Sequence, residues 1–330
     1  MTADISLPFA VLVIQLLICP MVMSDKARYN TEAQPVTENP IIGILTQEST
    51  PVLALFGPTY LSASYVKYIE SAGGRVVPIL VRQPEEYYVQ IFKSVNGILF
   101  PGGSATIQGL ASDYAKAASL LYHLAVAANK NGDFFPLWGT CLGFEALMIL
   151  TAQEDILMYN IAAHNISFPV KLSPDYGTSR ILSTENTPAD IIDTLTTQNS
   201  TYNSHKYALT TTNFTKSAIL PSFYQVLSTN TDLNGVEFIS MVEAYNFPFY
   251  GSQWHPEKNS FEFKVNACHT IGCVRLLQYM ANFFVEETRK SDHRFSSAKA
   301  ETGALIYNYK AVNLNRISST PFEQAYFFTP

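Results

Sequence analysis

Phe134-Phe135-Pro136-Leu137-Trp138-Gly139-Thr140-Cys141-Leu142-Gly143-Phe144-Glu145 is the stretch on which the fold turns. Residues 134–138 are an apolar run that reads as a buried strand ending at Gly139, and 142–150 read as a helix. Between them lies Gly139-Thr140-Cys141-Leu142-Gly143, a Gly-x-nucleophile-x-Gly turn from strand to helix, which aims its middle side chain away from the sheet. The glycines on either side remove Cβ atoms that would collide across so tight a turn. A helix starting at Leu142 puts partial positive charge beside the Cys141 sulfur. That predicts a thiol pKa below the ordinary value of about 8.5. The Leu142 N–H then points to where an oxyanion would form. The same five residues also fit a buried free cysteine between two chance glycines; the flanking strand and helix favour the elbow.

Moving upstream, the pattern alternates. Strands are predicted over 41–46, 75–80 and 97–100, and helices over 63–72, 85–94 and 114–130. Gly73-Gly74 stands where a helix C-cap is expected. Downstream, residues 159–213 are rich in Thr, Ser and Asn and predict short antiparallel strands. Further strands are expected over 224–228, 236–241 and 250–254, and a helix over 270–287. The aromatic residues of the last thirty positions are expected to wrap back onto the domain. The fold class is therefore α/β: a doubly wound, mostly parallel sheet flanked by helices on both faces, with added antiparallel strands. No repeat or linker divides residues 40–330, which read as one domain. In such sheets the site lies at the carboxyl ends of the strands.

Two more segments belong at strand ends. Pro101-Gly102-Gly103-Ser104 follows the 97–100 strand, and its turn exposes backbone N–H groups, one of which could be a second oxyanion donor. Gly251-Ser252-Gln253-Trp254-His255-Pro256-Glu257 ends a late strand. His255 there can reach a nucleophile on a neighbouring strand, and Glu257 can accept from its other ring nitrogen. Alone, the first is also an ordinary turn, and the second a surface histidine in a proline turn.

Together, Pro-Gly-Gly, Gly-x-Cys-x-Gly and His-Pro-Glu, in that order, resemble the class I glutamine amidotransferase-like superfamily. Ala63 to Gly73, Asn96 to Gly103, Trp138 to Glu145, Gln253 to Lys258, Glu237-Phe238-Ile239-Ser240 and Phe283-Phe284-Val285 are similar to the gamma-glutamyl hydrolases, and that likeness runs from about Pro40 to the C-terminus. The resemblance implies cleavage of gamma-glutamyl amide bonds of folate poly-gamma-glutamates through a thioester on Cys141. In it His255 is the base, Glu257 its orienter, and the N–H groups of Gly103 and Leu142 the oxyanion donors. It also implies that Glu145 contacts the glutamate moiety, that Tyr65 lines the pocket, that His205 faces substrate, and that the protein is a homodimer. No metal or cofactor is expected, since covalent thiol chemistry requires neither. The alternative is a glutaminase subunit supplying ammonia to a synthetase partner.

Composition bounds the rest. The 330 residues are 47% hydrophobic and 15% charged with net charge −6, which supports a packed core. No Lys/Arg run exceeds two residues, so nucleic acid is not an expected partner. Residues 7–23 are almost wholly apolar and read, with Val22 and Ser24, as the end of a signal peptide over 1–24. The other reading, an uncleaved anchor, is short of the roughly 20 residues a span needs. Residues 25–39 read as a polar tail. Sequons at Asn165, Asn199 and Asn213 accompany the leader, and the expected location is the secretory pathway, ending in a lysosome, vacuole or the extracellular space. After loss of Cys19 the chain keeps Cys141, Cys268 and Cys273. A bridge between the last two requires Cys268 to lie in the loop before the helix, because five residues along a regular helix exceed the roughly 7 Å limit.

Overall fold

A computed structural model describes residues 34–329. The expected signal peptide lies outside the described residues, as does most of the polar tail. Of that tail, Val36 and Thr37 donate their N–H groups to Arg289 O at 2.8 and 3.2 Å.

The strands, in chain order, are β1 (Ile41–Leu45), β2 (Gln47–Glu48), β3 (Thr59–Ser62), β4 (Arg75–Ile79), β5 (Gly97–Phe100), β6 (Leu137–Thr140), β7 (Met158–Phe168), β8 (Lys171–Leu172), β9 (Thr201–Ala208), β10 (Tyr224–Thr231), β11 (Glu237–Ala244), β12 (Phe249–Ser252), β13 (Val312–Asn313) and β14 (Gln324–Phe328). The helices are α1 (Ala63–Ser71), α2 (Glu85–Phe92), α3 (Asp113–Lys130), α4 (Leu142–Ala152), α5 (Ala189–Thr197), α6 (Thr211–Lys216), α7 (Leu220–Phe223), α8 (Lys258–Phe261), α9 (Ile271–Thr288) and α10 (Ala298–Ala304). Eight strands form the main sheet in the order β4-β1-β5-β6-β12-β11-β10-β8. The first five are parallel to one another, and β11, β10 and β8 extend the sheet antiparallel. This is the expected α/β class.

Period-two alternation sorts the strand side chains between two cores. Ile41, Val77, Ile79, Ile98 and Leu137 pack with α2, α3 and α4 on one face. Ile42, Ile44, Val76, Leu99 and Trp138 pack with α1, α5 and α9 on the other. Both faces are covered, so each parallel strand is an unbroken apolar run rather than an alternating one.

Several elements differ from the sequence expectation. The strand expected over 134–138 runs instead from Leu137 to Thr140, through Gly139. Pro136 has no N–H to give a ladder, so pairing starts at Leu137, which faces Ile98 on one side and Phe249 on the other. Phe135 still enters the core, with its ring 4.0 Å from that of Phe92. The polar middle holds a long antiparallel ribbon, β7 with β9, in addition to short strands. It also holds α5, which the sequence reading does not expect: this nine-residue helix has Ile191, Ile192 and Leu195 amid Thr and Asp. The C-terminal segment does wrap back, since β14 pairs antiparallel with β3, Phe328 facing Thr59. Cys268 lies before α9 and bridges Cys273 with Cα atoms 5.9 Å apart, as the loop placement requires. Among the described residues no helix is long and apolar enough to cross a membrane.

Candidate active site

Three neighbouring parallel strands, β5, β6 and β12, end side by side, with Phe100 facing Gly139 and Gly139 facing Gly251. Their carboxyl ends deliver Pro101-Gly102-Gly103, Cys141 and His255 to one place. Cys141 is the free cysteine among the described residues, and it is buried. Its backbone sits at φ 51°, ψ −109°, a conformation that side chains rarely adopt. Two hydrogen bonds hold it there, from its N–H to Ser252 O at 2.8 Å and from the Glu145 N–H to its carbonyl at 2.9 Å. Strain kept by surrounding structure at a residue of this chemistry is a functional signature.

His255 is fixed at both ends. Its backbone N–H donates to Tyr202 O at 2.9 Å, and its Nδ1 donates to Glu257 Oε1 at 2.8 Å. That tautomer leaves Nε2 with its lone pair free of any partner among the described residues. Glu257 is fully buried. Burial pushes its carboxyl up, yet His255 and then Lys258 outweigh it and hold the group below its ordinary value. Gly102 fits where nothing larger does: a Cβ there would lie 2.6 Å from His255 Cε1 and 3.1 Å from Cys141 Cβ.

The thiol behaves against the sequence expectation. Burial, and then the charge of Glu145, raises the Cys141 thiol well above its ordinary value; the Leu142 N–H pulls it down and loses. A helix N-terminus stabilises a thiolate only by partial charge, whereas removal from water acts on the full charge. Glu145 stands one turn into α4 and receives Gln253 Nε2 at 3.0 Å. Burial lifts its carboxyl to about 8, against that hydrogen bond.

This last shift carries a prediction. The folded value of Glu145 lies above the ordinary 4.5, so the contribution is full below pH 4.5 and is lost as pH rises to about 8. Glu145→Gln is expected to match the parent near pH 4.5 and to exceed its stability by on the order of 1–3 kcal/mol near pH 8, read from urea midpoints. Identical pH dependence in the two proteins would contradict the assignment.

Cys141, His255, Gly102, Gly103 and Tyr65 line one cavity of about 380 Å³. Tyr65 is in the wall, but its hydroxyl is committed: it accepts the Gly102 N–H at 2.7 Å and lies 3.3 Å from His255 Nδ1. Tyr65 thus ties the Pro-Gly-Gly loop to the histidine, and the Gly102 N–H is spent. Tyr65→Phe is expected to lower kcat by roughly tenfold with KM within about twofold, measured by initial rates. An unchanged kcat would show the tie to be idle.

His205 is not brought into the cavity lining. Its Nδ1 donates to Tyr207 O at 2.7 Å, its Nε2 lies 3.0 Å from Asn203 Oδ1, and its ring packs edge-on to Phe238. Burial pushes it down to about 3, so it is a neutral core histidine whose one N–H goes to Tyr207 O. Pairing of β9 with β7 decides this, placing His205 opposite Ala163. Conversely, Lys258 went unassigned in the sequence. It is 3% exposed, lines the cavity, and its Nζ has no hydrogen-bond partner, lying 3.9 Å from Glu257 Oε1. Its place directly after His-Pro-Glu was the available signal. Asp133, Asp292 and His293 cluster closely enough to hold a metal ion, but none of them lines this cavity.

The sequence profile of the family described as Peptidase C26 matches residues 40–257. The chain belongs to the peptidase C26 family. It is a cysteine-type hydrolase of that family, and its similarity extends beyond the matched region. Gamma-glutamyl hydrolase of Homo sapiens is 41% identical over 319 residues, 96% of this chain and 97% of that protein. Gamma-glutamyl hydrolase of Bos taurus is 42% identical over 297 residues, covering 89% and 91%. Gamma-glutamyl hydrolase B of Dictyostelium discoideum is 40% identical over 296 residues, covering 89% and 84%. The matched region, 40–257, contains the Pro101-Gly102-Gly103, Cys141 and His255–Glu257 segments together.

Proposed function

We propose that this chain hydrolyses the gamma-glutamyl amide bonds of poly-gamma-glutamylated folates through a gamma-glutamyl thioester on Cys141. The observation that carries the reading is a buried cysteine at positive φ sharing one cavity with a His255–Glu257 pair. Named relatives at about this similarity supply the bond class.

Because burial keeps Cys141 a thiol, deprotonation belongs to the attack itself. Sγ adds to the carbonyl carbon as its proton passes to His255 Nε2. The oxyanion takes N–H groups from Gly103 and Leu142, the Gly102 N–H being held by Tyr65. His255 then gives the proton to the leaving amine, and the thioester remains. Water, deprotonated by the same nitrogen, releases the product and restores the thiol. Glu257 keeps the imidazole in the required tautomer throughout. Lys258, a buried ammonium without an acceptor, is suited to a substrate carboxylate. Glu145 is buried behind the nucleophile with Gln253 Nε2 on its carboxyl and, like His205, is not part of the cavity lining.

The proposal includes residues 40–330 as one hydrolase domain, a leader that directs the chain into the secretory pathway towards lysosome, vacuole or exterior, and a homodimer. Of the three sequons, Asn199 is exposed, whereas Asn213 Nδ2 donates to Ile156 O at 2.8 Å and Asn165 Oδ1 accepts from Tyr202 at 3.0 Å. The exposure of Asn199 supports it as the first of the three to carry a glycan.

Purified protein given a pteroylpolyglutamate, without ATP or a partner, is expected to shorten the gamma-glutamyl chain. Ammonia released from free glutamine with no polyglutamate cleavage would sink the proposal in favour of the glutaminase reading.

A further inference from the structure

The cavity is not closed by the main sheet alone. One wall comes from near the C-terminus: Ser319, Thr320, Pro321 and Phe322 line it together with Cys141 and His255. These residues lie in the loop between β13 and β14, which pair Val312 with Ala325, so 314–323 is a hairpin connection with no strand or helix of its own. Exposed connections of this length near a terminus are ordinarily the least ordered part of a chain. Something has to hold this one if it is to shape a binding site.

Lys264 does so. Its Nζ lies 3.0 Å from Leu314 O, 2.9 Å from Ile317 O, 3.3 Å from Thr320 Oγ1 and 3.3 Å from Phe322 O. An ammonium has three N–H donors, so this one is fully used, with four oxygens of a single loop wrapped around it. The loop's own bonds, Ile317 N–H to Leu314 O and Thr320 N–H to Ile317 O, bring those oxygens round. A reciprocal pair beside it pins the base of the loop: the Glu323 N–H donates to Glu262 Oε2 at 2.6 Å, and the Phe263 N–H donates to Glu323 Oε1 at 3.1 Å. The anchor is therefore Glu262-Phe263-Lys264, a few residues beyond His255 and Glu257. The part of the chain that carries the base thus also anchors this wall. Phe322 is the side chain so placed, packed at a tilt against Tyr60 with ring centres 5.8 Å apart and lying 5.1 Å under Lys258 Nζ.

We propose that Lys264 is a substrate-affinity determinant: it touches no reacting atom but holds the Ser319–Phe322 wall in its binding position. This rests on reading the cavity as the substrate site. A charge-assisted clamp on neutral carbonyls adds rigidity where the loop supplies none.

The test uses Lys264→Met and Lys264→Gln in the full chain, with Phe322→Ala beside them. For a gamma-glutamyl substrate, KM is expected to rise roughly tenfold with kcat within about twofold. Phe322→Ala should raise KM similarly, and its combination with Lys264→Met should raise KM by much less than the product of the two, since both act on one wall. Amide hydrogen exchange over 314–323 should quicken in the Lys264 variants while that of α4 and β12 stays as in the parent, a result that does not depend on what the substrate is. Unchanged KM with unchanged exchange, or a fall in kcat at constant KM, would overturn the proposal. A parent inactive on the substrate, but with the exchange change present in the variants, would leave the clamp intact and count against the substrate reading. If Lys264→Met does not fold, Lys264→Gln and Phe322→Ala decide.

Discussion

Cys141→Ala is expected to bring gamma-glutamyl hydrolysis to background while leaving the fold in place. No other side chain in the cavity can form a thioester, and the substitution deletes one buried sulfur from a residue only 4% exposed. Loss of a nucleophile removes the covalent route altogether, and what remains is binding and oxyanion stabilisation, typically on the order of 10³-fold over water. His255→Asn should fall by about 10²–10⁴-fold for loss of the proton carrier. The two together should cost little more than either alone, because they act as one unit. A companion variant separates strain from chemistry. At φ 51° alanine is as strained as cysteine, whereas glycine is not, so Cys141→Gly should be more stable than Cys141→Ala by roughly 1 kcal/mol. Measured by urea denaturation, the reverse order would remove the argument that the elbow stores strain.

Gly143→Ala is the second large effect, and it acts on the fold. A Cβ at Gly143 would lie 1.9 Å from Phe100 O and 2.5 Å from Phe100 C. Those atoms are backbone of β5, a central strand, and cannot rotate aside. Helix α4 would have to lift off the sheet, taking Cys141 and the Leu142 N–H with it. The expected outcome is a loss of about 3–5 kcal/mol in stability, with activity near background even where the chain still folds. Near-parental stability would mean that α4 is not seated against β5 as described. Gly103 differs: there a Cβ would meet the amide end of the buried Gln47 side chain, which donates to Gly102 O at 2.9 Å, so Gly103→Ala costs that hydrogen bond rather than the seating of a helix and should be milder in stability.

These two variants mark where the sequence was legible. The elbow at Cys141, the order of strands and helices through the first half, and the pairing of His255 with Glu257 are local matters. Each depends on residues a few positions apart, and β6, α4 and the His-Pro-Glu segment stand close to where the pattern put them. The bounds of β6 differ from 134–138 because an apolar run does not say which of its residues pair; Pro136, with no N–H for a ladder, puts the start at Leu137. Helix α5 is not legible in the sequence because its nine residues make little more than two turns, and Ile191, Ile192 and Leu195 stand among Thr and Asp.

The chain by itself determined which atoms could react: one thiol on a strand-to-helix turn, one imidazole with a carboxylate two residues away, and glycines where the backbone must approach closely. Tertiary structure decided what those atoms are like. It set the Cys141 thiol high rather than low, because burial, the largest cause, comes from packing, and Glu145, one turn into the helix that Cys141 begins, adds to it. It turned His205 into core, by pairing β9 with β7, and committed the Tyr65 hydroxyl to Gly102. It also brought Phe322 and Lys258 to the same wall from opposite sides of a 64-residue separation that no spacing rule spans. Desolvation and long-range contact act through the neighbours a side chain finally meets, and those are fixed only when the chain has closed on itself.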